Sequence, residues 1–178
     1  MKKFGQYTKI AADGATQALI ENGIIPDIVV TDLDGNIEFI KKASESNSIM
    51  IVHSHGDNIS RLPYANLFRN CIGTTEDKPF RKIKNFGGFT DGDRCVFLAN
   101  HFGASKIILI GMDFGTRIGK YSKGGAYNRS LKLKKLSKGK SLLEWLASKS
   151  NAELYTTSQP ILGFKKITMV HLQRLVRE

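Results

Sequence analysis

The chain has 178 residues, of which 41% are hydrophobic and 24% are charged, with 17 Gly and 4 Pro. This composition excludes a disordered, collagen-like or low-complexity protein and predicts a single domain over residues 1–178 with its own hydrophobic core. The formal net charge of +11 is typical of proteins that bind nucleic acid or a membrane surface, so the distribution of that charge has to be examined.

The strands predicted in chain order from short segments rich in Ile and Val are Tyr7–Ala12, Asp27–Asp32, Ile49–His53, Cys71–Thr74, Lys106–Met112 and Glu153–Thr157. The predicted helices are Ala15–Asn22, Asn36–Ser46, Asn58–Phe68, Gly92–Phe102, Leu131–Lys149 and Thr168–Arg177. The apolar segments do not alternate with polar residues, which is typical of strands covered on both faces. Their alternation with helices predicts a three-layer α/β fold, in which a mostly parallel sheet carries helices on both faces.

The sequence also contains information on the cellular location of the protein. No apolar segment approaches the roughly 20 residues that span a bilayer, and Met1–Ile10 lacks the apolar core of a signal peptide. Cys71 and Cys95 are far apart, which argues against a zinc site or a disulfide framework. We therefore expect a cytoplasmic protein without a membrane partner.

Polar clusters follow several predicted strands, and ligands of parallel α/β proteins bind at the carboxyl ends of the strands. Asp32 and Asp34 follow the second strand, and in an extended chain their side chains would point the same way with Cα atoms roughly 6.5 Å apart. That separation suits oxygen ligands of Mg²⁺. The alternative is a turn that only precedes a helix capped by Asn36. The further carboxylates that could converge on this metal site are Asp13, Asp91 and Asp93.

Two other segments carry candidate ligand contacts. His53 and His55 end the third strand, where neutral imidazoles could orient a phosphate, and the alternative is a hydrogen-bonded loop. A transition-metal site is disfavoured, because no cysteine lies nearby in the sequence. The glycine-rich segment 87–94 leads into a helix whose first N–H groups, with Arg94, could contact phosphate. It matches neither a dinucleotide-binding nor a Walker sequence.

The positive charge lies in the last third of the chain. Residues up to Asp113 include 13 bases and 13 acids, whereas the residues from Phe114 onward include 14 bases and 3 acids. Within them, Thr116–Lys140 carries nine bases and no acid, which predicts a mobile basic loop over about 116–140. A local concentration of this kind favours a clamp for the phosphates of ATP over a binding face for nucleic acid, which we do not expect as a partner.

Several motifs together resemble a known family. The segments Ala12-Asp13-Gly14-Ala15 and Thr31-Asp32-Leu33-Asp34-Gly35 are similar to the opening of the thiamine pyrophosphokinase fold. The motifs at residues 53–58, 88–94 and 111–115 resemble the archaeal 6-hydroxymethyl-7,8-dihydropterin pyrophosphokinase family more closely, in the same order. The family usually begins with a further strand and a Gly-Pro-Ser loop, and no Gly-Pro-Ser occurs in this sequence.

The resemblance implies a thiamine pyrophosphokinase-like catalytic domain and a Mg²⁺-dependent transfer of diphosphate from ATP to 6-hydroxymethyl-7,8-dihydropterin, with release of AMP. Such a step belongs to biosynthesis of the folate or methanopterin type. In this interpretation the catalytic residues are Asp32, Asp34, Asp91 and Arg94, and the metal ligands are Asp13, Asp32, Asp34 and Asp91. Contacts to ATP are assigned to Asp13, His53, His55, Asn58, Lys132, Lys134, Lys135 and Lys138. Contacts to the pterin are assigned to Asp57, Phe89, Asp93, Asp113 and Phe114, with core packing as the alternative for both Phe side chains.

Other functions stay open at this point. A thiamine pyrophosphokinase would perform the same chemistry on a different ring, and related aspartate-rich domains act in glycan or motility-accessory roles. The sequence leaves open whether the chain is a monomer or a homodimer.

Overall fold

The structure is a computed structural model that describes residues 5–115, 119, 121 and 128–175. Strands and helices alternate along most of these residues, as the sequence predicts. In chain order the elements are β1 Ile10–Ala12, α1 Gly14–Glu21, β2 Ile28–Thr31, α2 Ile37–Glu45, β3 Ile49–His53, β4 Cys71–Thr74, α3 Asp91–His101, β5 Lys106–Leu109, α4 Arg129–Ala147, β6 Glu153–Thr156, β7 Lys165–Lys166 and α5 Met169–Leu175.

The chain divides into two compact units. The first comprises Met1–Gly87 and Lys120–Ala126, and the second comprises Gly88–Gly119 and Tyr127–Glu178. The first unit contains a four-stranded parallel sheet in the order β1-β2-β3-β4, and the second contains a three-stranded parallel sheet in the order β5-β6-β7. Parallel sheets flanked by helices confirm the α/β fold class. The single domain and the thiamine pyrophosphokinase-like fold stay predictions.

The core of the first unit forms around the apolar strands. Val29 and Val30 of β2 and Met50 of β3 are completely buried, as expected for strands covered on both faces. Ile40 of α2 joins the same core. Helix α2 begins after Asn36, whose side chain accepts a hydrogen bond from the N–H of Glu38, so the predicted cap is confirmed.

The second unit has its own core, in which Val96 of α3, Leu109 of β5 and Leu143 of α4 are buried together. Helix α4 begins at Arg129, because the side chain of Asn128 accepts a hydrogen bond from the N–H of Leu131 at 3.0 Å. The core is therefore built by the apolar sides of α3, α4 and the adjacent strands.

Two details of the sequence prediction are wrong. The α-helix expected over Asn58–Phe68 is instead two short 3₁₀ helices, Gly56–Asn58 and Leu62–Leu67, the second with Pro63 in its first turn. The strand β7, only two residues long, was not predicted.

The basic loop expected over about 116–140 overlaps the helix predicted over Leu131–Lys149, and the structure confirms that helix. Residues 129–140 of the expected loop belong to α4, because Asn128 caps a segment rich in Leu and Lys, which favour helix. Residues 116–118, 120 and 122–127 of the expected loop lie outside the described residues.

No helix in the described part of the chain is both long and apolar enough to cross a lipid bilayer.

Candidate functional site

Three carboxylates of the first unit come together at the carboxyl ends of β1 and β2. The carboxylates of Asp13, Asp32 and Asp34 lie close together. Each has one oxygen within 4.8 Å of an oxygen of each of the other two. All three residues are partly buried. Parallel pairing of β1 with β2, which aligns Ala12 with Val30, brings the two strand ends to the same edge of the sheet. This part of the predicted site is therefore assembled as a cluster.

The backbone around these carboxylates is strained. The N–H of Asp13 donates to the carbonyl of Val30 at 2.8 Å, and Asp13 has a φ of +27°, which L-residues rarely adopt. Leu33 has a φ of +65° while its side chain is buried in the core. The expectation of an extended chain from Asp32 to Asp34 is therefore wrong. A turn closed by the N–H of Asp34 on Asp32 Oδ1, at 3.2 Å, places the two carboxylates.

Two donors orient the Asp13 carboxylate. The hydroxyl of Thr31 donates to Asp13 Oδ1 at 2.7 Å, and the N–H of Gly35 donates to the same oxygen at 3.2 Å. A Cβ atom at Gly35 would lie 2.5 Å from Asp13 Oδ2, so only glycine allows this approach. The residue type at position 35 is thus dictated by the carboxylate beside it.

The electrostatics of the cluster suit a cation. Burial raises the pKa of Asp13 from its ordinary 3.8 to about 6, and repulsion from Asp34 and Asp32 acts in the same direction, while the Thr31 hydrogen bond opposes both. A divalent cation would compensate these crowded negative charges. Carboxylate oxygens are the ligands that Mg²⁺ prefers, so the donor set fits that ion.

Asn58 joins the loop after β3 to the loop after β2. Its side-chain amide donates to the carbonyls of Asp32 and His53, both at 2.7 Å, and its Oδ1 accepts from the N–H of His55 at 3.0 Å. Asn58 is 2% exposed, so these contacts satisfy a buried amide. The sequence analysis assigned Asn58 to ATP, and the structure places its polar atoms in contacts within the protein.

The two histidines of this loop lie in different surroundings. His53 is buried, with Nδ1 3.2 Å from the Thr74 hydroxyl. His55 is partly exposed, and its Nε2 lies 3.4 Å from Asp32 Oδ2. Asp57 is exposed in the 3₁₀ helix that follows. The predicted contact residue His55 therefore lies beside the carboxylate cluster.

Comparisons with known proteins identify the family of the chain. The family model described as "6-hydroxymethylpterin diphosphokinase MptE-like" matches residues 1–119. The chain is similar to a Pyrococcus furiosus protein named 6-hydroxymethyl-7,8-dihydropterin pyrophosphokinase, with 48% identity over 155 residues that cover 85% of this chain and 67% of the relative. The chain belongs to this family.

Two further relatives are also named 6-hydroxymethyl-7,8-dihydropterin pyrophosphokinase. The protein from Methanocaldococcus jannaschii is 45% identical over 81% of this chain and 64% of its own length. The protein from Methanothermobacter thermautotrophicus is 46% identical over 78% of this chain and 62% of its own length. This MptE-like chain therefore aligns with about two thirds of the length of these relatives.

The second unit of this MptE-like chain holds the other predicted carboxylates. Asp93 is completely buried, and its Oδ2 accepts from the N–H of Phe89 at 2.6 Å. Its Oδ1 accepts from the N–H of Thr90 at 2.8 Å and from the Thr90 hydroxyl. Asp93 thus caps α3, a role that the sequence analysis missed, although Thr90 and Asp93 have the spacing of a capping box.

The remaining predicted contacts of the second unit differ in exposure. Asp91 and Arg94 lie one turn apart on α3, with Arg94 Nη1 4.0 Å from Asp91 Oδ1. Phe89 is 38% exposed. Phe114 packs against the core, which agrees with core packing as the alternative prediction for this side chain. Asp113 Oδ1 accepts from the N–H of Gly115 at 2.8 Å. Phe89 is therefore the more accessible of the two predicted stacking residues.

The predicted phosphate clamp is described only in part. Lys134, Lys135 and Lys138 are exposed on the first turns of α4, and Lys132 is partly buried there. These side chains belong to the second unit.

Tyr121 belongs to the basic segment 116–140 and to the first unit, and it is among the residues that the structure describes. A Cβ atom at Gly14 would overlap the carbonyl oxygen of Tyr121, and the Tyr121 hydroxyl donates to Glu21 at 2.7 Å. Tyr121 therefore lies against the residue that follows Asp13 in the sequence.

Proposed function

We propose that this chain transfers the diphosphate group of ATP to the hydroxymethyl group of 6-hydroxymethyl-7,8-dihydropterin and releases AMP. Membership of the 6-hydroxymethylpterin diphosphokinase MptE-like family supports the reaction class. The observation that carries the proposal is the cluster of Asp13, Asp32 and Asp34 at the ends of two parallel strands, where such folds bind ligands. The product would serve biosynthesis of the folate or methanopterin type.

The cluster residues would hold Mg²⁺, with Asp13, Asp32 and Asp34 as ligands. The ion would offset the negative charge that builds on phosphate oxygens during the transfer. Thr31 and Gly35 orient Asp13 through its Oδ1, and Asn58 holds the carbonyl of Asp32. These contacts fix the carboxylates before any ligand arrives, so less conformational entropy is lost on binding.

Residues of the second unit are proposed as substrate contacts on residue type and family resemblance. Arg94 and the exposed lysines of α4 are suited to phosphate, since guanidinium and ammonium groups form charge-assisted hydrogen bonds with it. Phe89 offers an accessible aromatic ring for stacking on a pterin. A carboxylate such as Asp113 could accept hydrogen bonds from the amino edge of the pterin. The family resemblance alone suggests Asp91 as a fourth metal ligand.

The deciding experiment measures AMP formation from ATP and Mg²⁺ with 6-hydroxymethyl-7,8-dihydropterin as acceptor. Asp32→Asn and Asp34→Asn each remove one ligand charge with little change in shape, and we expect each to lower turnover by at least about 100-fold. Asp77→Asn, in an exposed loop, is the matched control and should retain full activity.

Each contrary result has a separate meaning. Full activity in both cluster variants would remove the metal role of these carboxylates. Turnover with thiamine, and none with the pterin, would favour a thiamine pyrophosphokinase. No turnover combined with steeply salt-dependent RNA or DNA affinity would identify a nucleic-acid binder instead.

A further inference from the structure

Thr31 is the last residue of β2 and is completely buried, so its hydroxyl has to find its partners inside the protein. It donates to Asp13 Oδ1 at 2.7 Å and accepts from the N–H of Leu33 at 2.8 Å. A hydroxyl has a single proton to donate, and here that proton goes to a carboxylate oxygen. One side chain therefore links the loop after β1 to the turn after β2.

Both contacts act on the geometry of the carboxylate cluster. The first bond and the N–H of Gly35 reach the same oxygen of Asp13, which fixes the rotation of that carboxylate. The second bond satisfies the backbone of Leu33, whose φ of +65° is unfavourable for a branched residue. Because Leu33 separates Asp32 from Asp34, the conformation of this residue sets the relative placement of their carboxylates.

We propose that Thr31 is a positioning residue for divalent-cation binding at the cluster of Asp13, Asp32 and Asp34. Its hydroxyl directs Asp13 Oδ2 toward the ion by engaging Oδ1, and it maintains the turn that brings Asp34 beside Asp13. The inference rests on the proposed function, because it takes these three carboxylates as the metal ligands. Thr31 itself touches neither the ion nor a substrate.

The second unit provides a matched control for this hydroxyl. Thr156 is also the last residue of a parallel strand, is also completely buried, and accepts from the N–H of Ser158 two residues later, at 3.2 Å. Thr31 forms the same local turn and in addition donates to Asp13. A comparison of the two threonines therefore separates the loss of a buried turn from the loss of carboxylate orientation.

The test is a titration of the full chain with Mn²⁺ as a paramagnetic substitute for Mg²⁺, with free Mn²⁺ followed by electron paramagnetic resonance. Thr31→Val keeps the shape of the side chain and removes the hydroxyl, so we expect Mn²⁺ affinity to fall by about 10- to 100-fold. Thr31→Ser restores the hydroxyl and should bring affinity back to within about 3-fold of the wild-type value. Thr156→Val should bind Mn²⁺ as the wild-type chain does.

Thermal unfolding in excess EDTA is the second measurement. Each variant leaves a backbone N–H without its hydroxyl partner, and Thr31→Val also removes the bond to Asp13, so we expect Thr31→Val to lower the unfolding temperature at least as much as Thr156→Val. If Thr31→Val does not fold, Thr31→Cys replaces it, since a thiol keeps the size of the side chain but is a weak donor. The expected effect of Thr31→Cys is again weaker Mn²⁺ binding.

Three results would overturn the inference or its basis. Wild-type Mn²⁺ affinity in a folded Thr31→Val or Thr31→Cys variant would refute the positioning role and leave the metal centre intact. Equal losses of affinity in Thr31→Val and Thr156→Val would reduce Thr31 to a structural residue. Absence of Mn²⁺ binding by the wild-type chain would instead refute the metal centre of the proposed function.

Discussion

Asp13 and Asp93 each adjoin a glycine at the start of a helix, yet the two units of the protein use these carboxylates in opposite ways. Asp93 is completely buried, and donors from Phe89 and Thr90 reach both of its oxygens. Asp13 is partly buried, and its donors from Thr31 and Gly35 converge on one oxygen, while two further carboxylates crowd it. The fold satisfies the Asp93 carboxylate, whereas Asp13 belongs to a cluster of three carboxylates.

The two surroundings have different consequences for stability. A buried carboxylate stabilises its loop when hydrogen-bond donors satisfy all of its oxygens. A carboxylate placed beside others raises the free energy of the protein until a cation binds. The same substitution, aspartate to asparagine, should therefore have opposite effects on stability at the two positions.

The largest effect is expected for Asp93→Asn. One oxygen would become an amide NH₂ that points at a backbone N–H, which leaves a buried donor unsatisfied and removes charge-assisted bonds. We expect the free energy of unfolding to fall by about 3 kcal/mol. Thermal and urea unfolding would measure it, and an unchanged stability would mean that the Asp93 cap contributes little.

An intermediate effect of opposite sign is expected for Asp13→Asn in metal-free protein. The folded-state pKa of about 6 lies above the ordinary 3.8, so the folded protein binds more protons between these values. Stability of the wild-type chain in EDTA should therefore fall as the pH rises from about 4 to 6 and remain low above pH 6. Asp13→Asn removes this slope and should be more stable at pH 8 by on the order of 2 kcal/mol.

Urea unfolding across this pH range, in EDTA and then with Mg²⁺, tests the prediction. Added Mg²⁺ should stabilise the wild-type chain at pH 8 more than it stabilises Asp13→Asn, because only the wild-type chain offers all three carboxylates. A variant that is less stable than the wild-type chain at pH 8 without metal would contradict the view that this carboxylate is under electrostatic strain.

The smallest effect is expected for Gly139→Ala in α4. Alanine usually stabilises a helix interior by about 1 kcal/mol relative to glycine. Here a Cβ atom would lie 2.9 Å from Asp93 Oδ1 and 3.6 Å from the Thr90 hydroxyl, so it would crowd the buried cap. We expect a net destabilisation of about 1 kcal/mol. The exposed Ser137→Ala on the same helix is the control, and a stabilised Gly139→Ala would show that the cap has room to move.

The sequence predicted the positions of most strands and helices because their signals are local. The buried segments around Val29, Met50 and Ile107 have no polar alternation, and Asn36 is a residue type that commonly caps helices. The 3₁₀ helices after β3 were missed, since their geometry depends on Pro63 and on the contacts of Asn58 with neighbouring loops. Helical propensity alone does not encode such contacts.

The sequence predicted the residue types of the candidate site but not its backbone conformation. Asp32 and Asp34 were identified as a pair, yet the left-handed backbone of Leu33 was not, because a branched residue rarely adopts it without support from its surroundings. The two hydrogen bonds of the Thr31 hydroxyl were likewise missed. A hydroxyl residue immediately before an aspartate is common in sequences. The hydrogen bond from Thr31 to Asp13 is visible only in the structure.

The sequence by itself determined the α/β class, the separation of a neutral Asp-containing part from a basic part, and the motifs that identify the family. Periodicity, composition and residue order carry this information, and none of them requires a long-range contact. Only the tertiary structure decided which aspartates cluster with other carboxylates and which are buried among hydrogen-bond donors. Parallel pairing of β1 with β2 brings the carboxylates of the cluster together, whereas Asp93 is buried beside its local donors, where α4 approaches it at Gly139.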